Sequence, residues 1–269
     1  VPERATITNM GAETGATTSI FPSDEVTKEF LKWQKREDEW VELPEGTNED
    51  YDEIIEINLS ELEPLVAQPH SPGNVVPLSE LYGKKVDQVA IGSCTNSSLK
   101  DLLTVAALLK GRKIHQNTVL GISPGSRQVL MELAKKGHLA DAITAGARIL
   151  ESACGPCIGM GFAPKTDAVV VRTFNRNFFG RTGTKSADAY LVSPEVAVAA
   201  AVFGEFTDPK KLGSYPKIEI PSEIEIDDSM LLQPSNKPDE VEIVRGPNIA
   251  PLPEFHPLSD EFQFKVLIK

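Results

Sequence analysis

The chain has 269 residues, 41% of them hydrophobic, with a formal net charge of −12 and a pI near 4.9. This charge argues against nucleic acid or an anionic membrane as the main partner, because a surface that follows phosphates needs a local excess of Lys and Arg. The length suits roughly two domains, and no apolar run approaches the length of a membrane span. Only three cysteines in so long a chain suit a reducing, cytoplasmic setting.

The first part of the chain predicts a helix, a loop, a strand and a linker. Ser23 is a plausible N-cap for an amphipathic helix that carries Phe30. An acid-rich loop follows over residues 37–52, and residues 54–57 predict a strand. Residues 65–76 contain prolines and a glycine and predict a linker.

From residue 86 onward, strands and helices alternate. The predicted strands cover residues 86–92, 119–122, 149–150, 168–171 and 189–192. The predicted helices follow Ser97 or Ser98, Ser126, His138 and Ser193. This repetition predicts an α/β fold with a mainly parallel sheet flanked by helices. In such sheets, ligands bind beyond the carboxyl ends of the strands.

The cysteines follow two of these predicted strands, and their pattern leaves several interpretations. Cys94 follows one strand, and Cys154 and Cys157 follow another as a Cys-x-x-Cys pair. The thiols could be buried structural residues, half of a zinc site or a redox pair. The four histidines do not lie at zinc-like spacing from them, and Gly155-Pro156 predicts an open loop rather than the start of a helix. Iron–sulfur ligation is therefore the favoured interpretation.

Four segments resemble signatures of the aconitase family and occur in the same order. They are Asn9-Met10-Gly11-Ala12-Glu13, Gly92-Ser93-Cys94-Thr95-Asn96-Ser97, Cys154-Gly155-Pro156-Cys157-Ile158-Gly159 and Asn175-Arg176-Asn177-Phe178 with Gly180-Arg181. The third segment looks closer to aconitate hydratases than to many isopropylmalate dehydratase large subunits. A match at four segments over about two thirds of the chain makes the resemblance specific.

The resemblance implies a cofactor and a set of site residues. It implies a 4Fe-4S cluster held by Cys94, Cys154 and Cys157, with one iron left open as a Lewis acid for a tricarboxylate substrate. It also implies a catalytic glutamate and substrate-binding arginines and asparagines. These are Glu13, Arg176, Arg181, Asn175 and Asn9.

The resemblance further implies the domain organisation. Residues 1–62 are expected to be the incomplete C-terminal part of a preceding α/β domain, and residues 63–212 an α/β iron–sulfur-ligating domain of the aconitase middle type. Residues 213–269 are expected to be an extended linker toward an absent mobile domain. We expect a fragment of a longer protein whose missing flanking domains carry further acid–base groups. The fragment alone is therefore expected to be inactive.

The predicted function is that of an aconitate hydratase, which interconverts citrate and isocitrate through cis-aconitate. A homoaconitase or a 3-isopropylmalate dehydratase large subunit is the nearest alternative, because it would share the cluster and the arginines. A zinc-binding or iron-sensing module is an alternative of another class. The acidic charge weighs against binding of RNA by such a module.

Overall fold

The computed structural model describes residues 1–221 and 223–267. Residues 222, 268 and 269, which belong to the predicted linker, lie outside the described residues. The helices are α1 Pro2–Gly11, α2 Glu25–Trp33, α3 Leu99–Leu109, α4 Arg127–Lys135, α5 His138–Ala145 and α6 Pro194–Phe203. The strands are β1 Leu65–Ala67, β2 Val75–Pro77, β3 Gln88–Gly92, β4 Val119–Ser123, β5 Arg148–Ile149, β6 Val169–Arg172 and β7 Asp188–Leu191.

The strands form one sheet in the order β2-β1-β7-β6-β3-β4-β5. The five strands from β7 to β5 pair in parallel, whereas β1 pairs antiparallel with both β2 and β7. The predicted α/β class with a mainly parallel sheet is confirmed.

The order of the strands creates a switch point between β3 and β6. From β3 the chain moves outward through β4 to β5, and it then returns to the other side of β3 to form β6 and β7. At such a reversal the loops after the two central strands diverge and leave a crevice at their carboxyl ends. The loops that follow β3 and β6 begin at Ser93 and Thr173, so this crevice lies between the Cys94 segment and the Asn175–Arg181 segment.

The two faces of the sheet carry different layers because successive strand side chains point to opposite faces. Val89 and Ile91 of β3 belong to the main core, which also contains buried residues of α3, α5 and α6. Ala90, between them, belongs to a small cluster with Cys157, Phe162 and Phe174. The helices therefore cover one face of β3, and the loop that contains Cys157 covers the other.

Side-chain caps explain where the helices start. The Ser98 hydroxyl accepts from the Asp101 backbone N–H, and the Asp101 carboxylate accepts in return from the Ser98 N–H, which forms a capping box. Ser126 and Ser193 cap α4 and α6 in the predicted places. The cap of α2 is Asp24 rather than the predicted Ser23, since the Asp24 carboxylate accepts from the Thr27 N–H.

Two predictions in the first part of the chain are wrong. Residues 54–57 form no strand, because their isoleucines are exposed and no described segment pairs with them. Residues 65–76 are not only a linker, because β1 and β2 form a hairpin in which Val66 is fully buried. Pairing with β7 and burial of Val66 outweigh the proline and glycine signal in the turn.

The chain divides into two compact units, Val1–Asp227 and Asp228–Lys269. The first unit contains every helix and strand given above. In its described residues, the second unit has a 3-10 turn at Pro238–Glu240 and otherwise no regular structure. The domain limits at residues 62 and 212 stay predictions. None of the described helices is long and apolar enough to cross a membrane.

Candidate metal and substrate site

The turn after β3 presents Cys94 at the edge of the crevice. Gly92 has a φ of 118°, and a Cβ there would lie less than 3.0 Å from the Ser123 carbonyl oxygen, so the position requires glycine. Ser93 follows with a φ of 66°, which is uncommon for a residue with a side chain. This sharp turn leaves Cys94 exposed between the end of β3 and the start of α3.

Hydroxyl and amide groups surround the Cys94 sulfur. The Ser93 and Thr95 hydroxyl oxygens each lie 3.8 Å from Sγ, and Thr95 also donates to the Asn9 side-chain oxygen at 3.2 Å. Burial raises the pKa of the Cys94 thiol, but hydrogen bonds with Asn9, Ser93 and Thr95 outweigh it and leave the pKa lowered. The environment of Cys94 therefore favours the thiolate, which is the form that binds metals.

Helix α1 contributes Asn9 because it docks on the turn that contains Cys94. The Thr6 hydroxyl donates to the Thr95 carbonyl oxygen at 2.8 Å. The Asn96 amide donates to the same hydroxyl at 3.4 Å. The first residues of the chain are thus an integral part of the site.

The second cysteine segment is a tight turn, not the open loop predicted from Gly155-Pro156. Residues Gly155–Ile158 form a 3-10 helix in which the Cys157 N–H donates to the Cys154 carbonyl at 3.1 Å. Cys154 is exposed, whereas Cys157 is buried. Gly159 ends the turn with a φ of 88°, and a Cβ there would overlap the Thr182 carbonyl. This close approach packs the cysteine turn against the segment that contains Arg181.

Two arginines approach Cys157 from different segments. The Arg181 Nη2 lies 3.2 Å from the Cys157 Sγ, and the Arg172 Nη2 donates to the Cys157 carbonyl oxygen at 2.8 Å. Arg172 is only 1% exposed. Burial lowers the pKa of Arg172 to about 10, so its guanidinium is still protonated at neutral pH.

A third arginine forms an ion pair across the crevice. The Arg176 Nε donates to the Glu13 carboxylate at 2.7 Å, and the Asn175 amide lies 3.5 Å from the same oxygen. The hydrogen bond with Glu13 raises the pKa of Arg176. The Glu13 side chain is 6% exposed, but the Arg176 side chain is 40% exposed. Arg176 is thus anchored at one nitrogen, and its side chain is partly exposed to solvent.

The structure brings the predicted site residues into local groups. Asn9 lies with Cys94, Arg181 with Cys157, and Glu13 with Asn175 and Arg176. In the described residues, no three His, Cys, Asp or Glu side chains are close enough together to form a metal-binding group. The structure therefore does not bring the three thiols together as one ligand set.

The residues nevertheless fit an anionic iron–sulfur cluster in their chemistry. The three cysteines lie in the segments that follow β3 and β5 at the sheet's carboxyl edge. Three buried guanidinium nitrogens near Cys157, Nε and Nη1 of Arg172 and Nε of Arg181, have no hydrogen-bond partner among the described residues. Buried cationic groups of this kind require a nearby anion, and thiolate-bound clusters carry negative charge.

Several residues that shape the site were not predicted from the sequence. Arg172 directly follows a predicted strand, and an arginine after three valines is a signal that could have marked it. Thr173 accepts from the Gly92 N–H at 2.9 Å and joins the ends of β3 and β6. Asn177 is completely buried and donates to the Gln68 carbonyl oxygen at 2.6 Å.

Comparison with known families places this chain in a defined class. The model of the family described as "Aconitase family (aconitate hydratase)" matches residues 1–85 and 79–204. These ranges include every residue predicted to belong to the site. The chain belongs to the aconitase family.

Three similar curated relatives are all large subunits of 3-isopropylmalate dehydratase. The chain is 41% identical over 212 residues to 3-isopropylmalate dehydratase large subunit 2 of Archaeoglobus fulgidus, a match that covers 78% of this chain and 51% of the relative. It is 40% identical to the 3-isopropylmalate dehydratase large subunit of Caldanaerobacter subterraneus (79% and 51%) and 42% identical to large subunit 1 of Thermotoga maritima (78% and 51%). The chain thus spans about half the length of these relatives.

Proposed function

We propose that the complete protein is a hydro-lyase of the aconitase family and that its first candidate substrate is 3-isopropylmalate. The names of the relatives favour this alternative over the aconitate hydratase that the sequence motifs favour. The supporting observation in the site is the geometry of Arg176. Its Nε is held by Glu13, and in the described residues no hydrogen bond engages its two terminal nitrogens. A guanidinium in this state can bind a carboxylate through two parallel hydrogen bonds.

Cys94, Cys154 and Cys157 would hold the 4Fe-4S cluster, which when bound supplies a Lewis acid that polarises a hydroxyl group. The chain's own groups would bind and orient the substrate. Arg176 would bind one substrate carboxylate, and Arg181, beside the Cys157 sulfur, would bind a second. The substrate would then lie between the cysteines and the loop after β6.

Glu13 and the two asparagines would keep these groups in position. Glu13 fixes the direction of the Arg176 fork, and its carboxylate is a candidate proton acceptor beside the substrate. The Asn175 amide lies next to the same carboxylate, and Asn9 lies next to Cys94. Orientation of this kind lowers the entropic cost of reaching the reactive geometry.

A second candidate is an aconitate hydratase acting on citrate and isocitrate. The form of the segment Cys154-Gly155-Pro156-Cys157-Ile158-Gly159 favours it. Both candidates need the same arginines, because both substrates carry more than one carboxylate. The substrates of the two candidates differ in the side group that the rest of the protein must accommodate.

The proposed partners are regions outside this chain. The relatives are named as large subunits, which supports a small subunit as the partner, and each is about twice as long as the matched region. We propose that groups from these regions complete the acid–base chemistry and that the 269-residue chain alone does not turn over substrate.

Anaerobic reconstitution of the complete protein with its partner tests the proposal. We expect about four irons and four sulfides per chain and dehydration of 3-isopropylmalate at a higher kcat/KM than citrate or homocitrate. A preference for citrate would replace the first candidate with the second. One zinc without sulfide would instead support a zinc module and refute the hydro-lyase proposal.

A further inference from the structure

Arg172 occupies an unusual place beneath the cysteine turn. It is the last residue of β6 and among the largest fully buried side chains in the described residues. In the parallel register it lies beside Ala90 of β3, so their side chains share a face of the sheet. That face is the one covered by Cys157 and Phe174. The guanidinium is thus directed to the cysteine side of the sheet, away from the helices.

The charge of Arg172 is poorly compensated within the described chain. Its Nη2 donates to the Cys157 carbonyl oxygen, and its guanidinium carbon lies 4.3 Å from the centre of the Phe174 ring. Its Nε and Nη1 are buried and have no hydrogen-bond partner among the described residues, so no described carboxylate forms a hydrogen bond with them. A buried charge without an opposite charge is costly, and a single carbonyl and one aromatic face offset only part of that cost.

In the described residues, Cys157 is the group able to carry a negative charge that interacts with Arg172. Arg181 contacts its sulfur, while Arg172 contacts its carbonyl oxygen. The two guanidinium groups also repel each other, which adds to the need for an anion at this place. A thiolate bound to an anionic cluster would satisfy both arginines.

We propose that Arg172 is a positioning residue that holds the Cys157 turn from behind and supplies a fixed positive charge to the cluster bound there. This inference rests on the proposed function, because it requires that the cluster assemble. Arg172 does not touch the substrate in this scheme. It acts through Cys157, so it should influence retention of iron and the reduction potential more than substrate affinity.

Three variants of the complete protein test this role. Arg172→Met removes the charge and the hydrogen bond while it keeps an apolar stem of similar length. Arg172→Lys keeps the charge but loses the planar fork. The matched control is Arg148→Met, because the Arg148 guanidinium carbon also lies near a ring of this region, 5.2 Å from the centre of Phe162, but its side chain is exposed.

The measurements are the release of iron to a chelator under anaerobic conditions and the reduction potential of the reconstituted cluster. For Arg172→Met we expect about tenfold to a hundredfold faster release of iron, the range for loss of a group behind a metal ligand. We also expect a more negative potential, because reduction adds negative charge that Arg172 no longer stabilises. Arg172→Lys should release iron faster but keep a potential near that of the wild type. Arg148→Met should match the wild type in both.

The outcomes separate this inference from the proposed function. If the wild type takes up no iron and sulfide, the proposed function fails, and the role of Arg172 falls with it. If the wild type assembles the cluster and Arg172→Met matches Arg148→Met in both measurements, only the role of Arg172 is refuted. If circular dichroism shows that Arg172→Met does not fold, Arg172→Lys provides the test. Release of iron from Arg172→Lys at the wild-type rate then overturns the inference.

Discussion

Gly159 offers the sharpest test of how the site is assembled. Its φ of 88° is a left-handed conformation, which costs a residue with a Cβ about 1–2 kcal/mol. In Gly159→Ala, the new Cβ would also lie less than 3.0 Å from the Thr182 carbonyl oxygen, and this neighbour is backbone that cannot rotate away. Overpacking of this kind costs roughly a further 1–3 kcal/mol. We therefore expect a loss of about 2–5 kcal/mol in the free energy of unfolding.

Gly161→Ala is the matched control. Gly161 has a φ of 70°, but a Cβ there meets nothing within 4 Å, so only the backbone cost of about 1–2 kcal/mol applies. Urea unfolding of both variants gives the difference. In Gly159→Ala, the overlap with the Thr182 carbonyl pushes the Cys157 turn away from the segment that contains Arg181. That variant should therefore also retain less iron after reconstitution. Equal stability and equal iron content in the two variants would refute this account of the packing.

Three further substitutions probe the ion pair, a helix cap and a buried amide. Glu13→Gln removes the anion that holds Arg176, so steady-state kinetics of the complete protein should show KM raised about tenfold, the effect of losing a hydrogen bond to a charged group. Asp24→Asn keeps a helix cap but loses the ion pair with Arg4. In the wild type this ion pair lowers the pKa of Asp24. A carboxyl group whose pKa is lowered on folding stabilises the fold at pH values above its ordinary pKa of 3.8, and this stabilisation decreases as the pH falls. The difference in urea midpoint between Asp24→Asn and the wild type should therefore become smaller towards pH 3. Asn177→Ala removes a donor to three backbone carbonyl oxygens and should cost about 1–3 kcal/mol in urea unfolding.

Each of these substitutions has a comparison that isolates its cause. Glu39→Gln breaks an exposed ion pair with Arg36 and should leave KM unchanged. A KM equally unaffected in Glu13→Gln would contradict the anchoring of the guanidinium. For Asp24→Asn, a stability difference that does not change with pH would show that the charge pair contributes nothing. For Asn177→Ala, an unfolding midpoint equal to that of the wild type would mean that water replaces the lost donor.

The parts of the fold that could be predicted from the sequence are those with strong local signals. Ser193-Pro194 at the start and Gly204 at the end mark α6, and the structure places its ends there. The hairpin of β1 and β2 could not be predicted, because its stability comes from Val66 packing into a core formed by distant residues. The isoleucines of residues 54–57 led to the prediction of a strand that the structure does not contain. β-branched residues favour strands only where a neighbouring strand and a core are available.

The site shows the same division between local and long-range information. The resemblance to the aconitase family marked Cys94, Cys157 and Arg181 as candidates, because each lies in a short segment that matches a signature of that family. These segments could not reveal that Asn9 reaches Cys94 or that Glu13 pairs with Arg176, since each contact joins residues more than 80 positions apart. Arg172 was not predicted as a site residue because its charge is important only through its burial, and its neighbours in the sequence do not reveal that burial.

The charge of the whole chain and the charge of the crevice have opposite signs. The chain carries −12 overall, yet residues 172–181 contain three arginines and no acidic residue. Glu13 is the acidic side chain with a hydrogen bond to one of these arginines in the described residues, and it leaves the end of Arg176 open. Screening limits the reach of distant surface charges to about 8–10 Å at physiological ionic strength, so the nearby guanidinium groups dominate the field in the crevice. An acidic protein of this kind can therefore repel polyanions at its surface and still bind a small carboxylate at the switch point of its sheet.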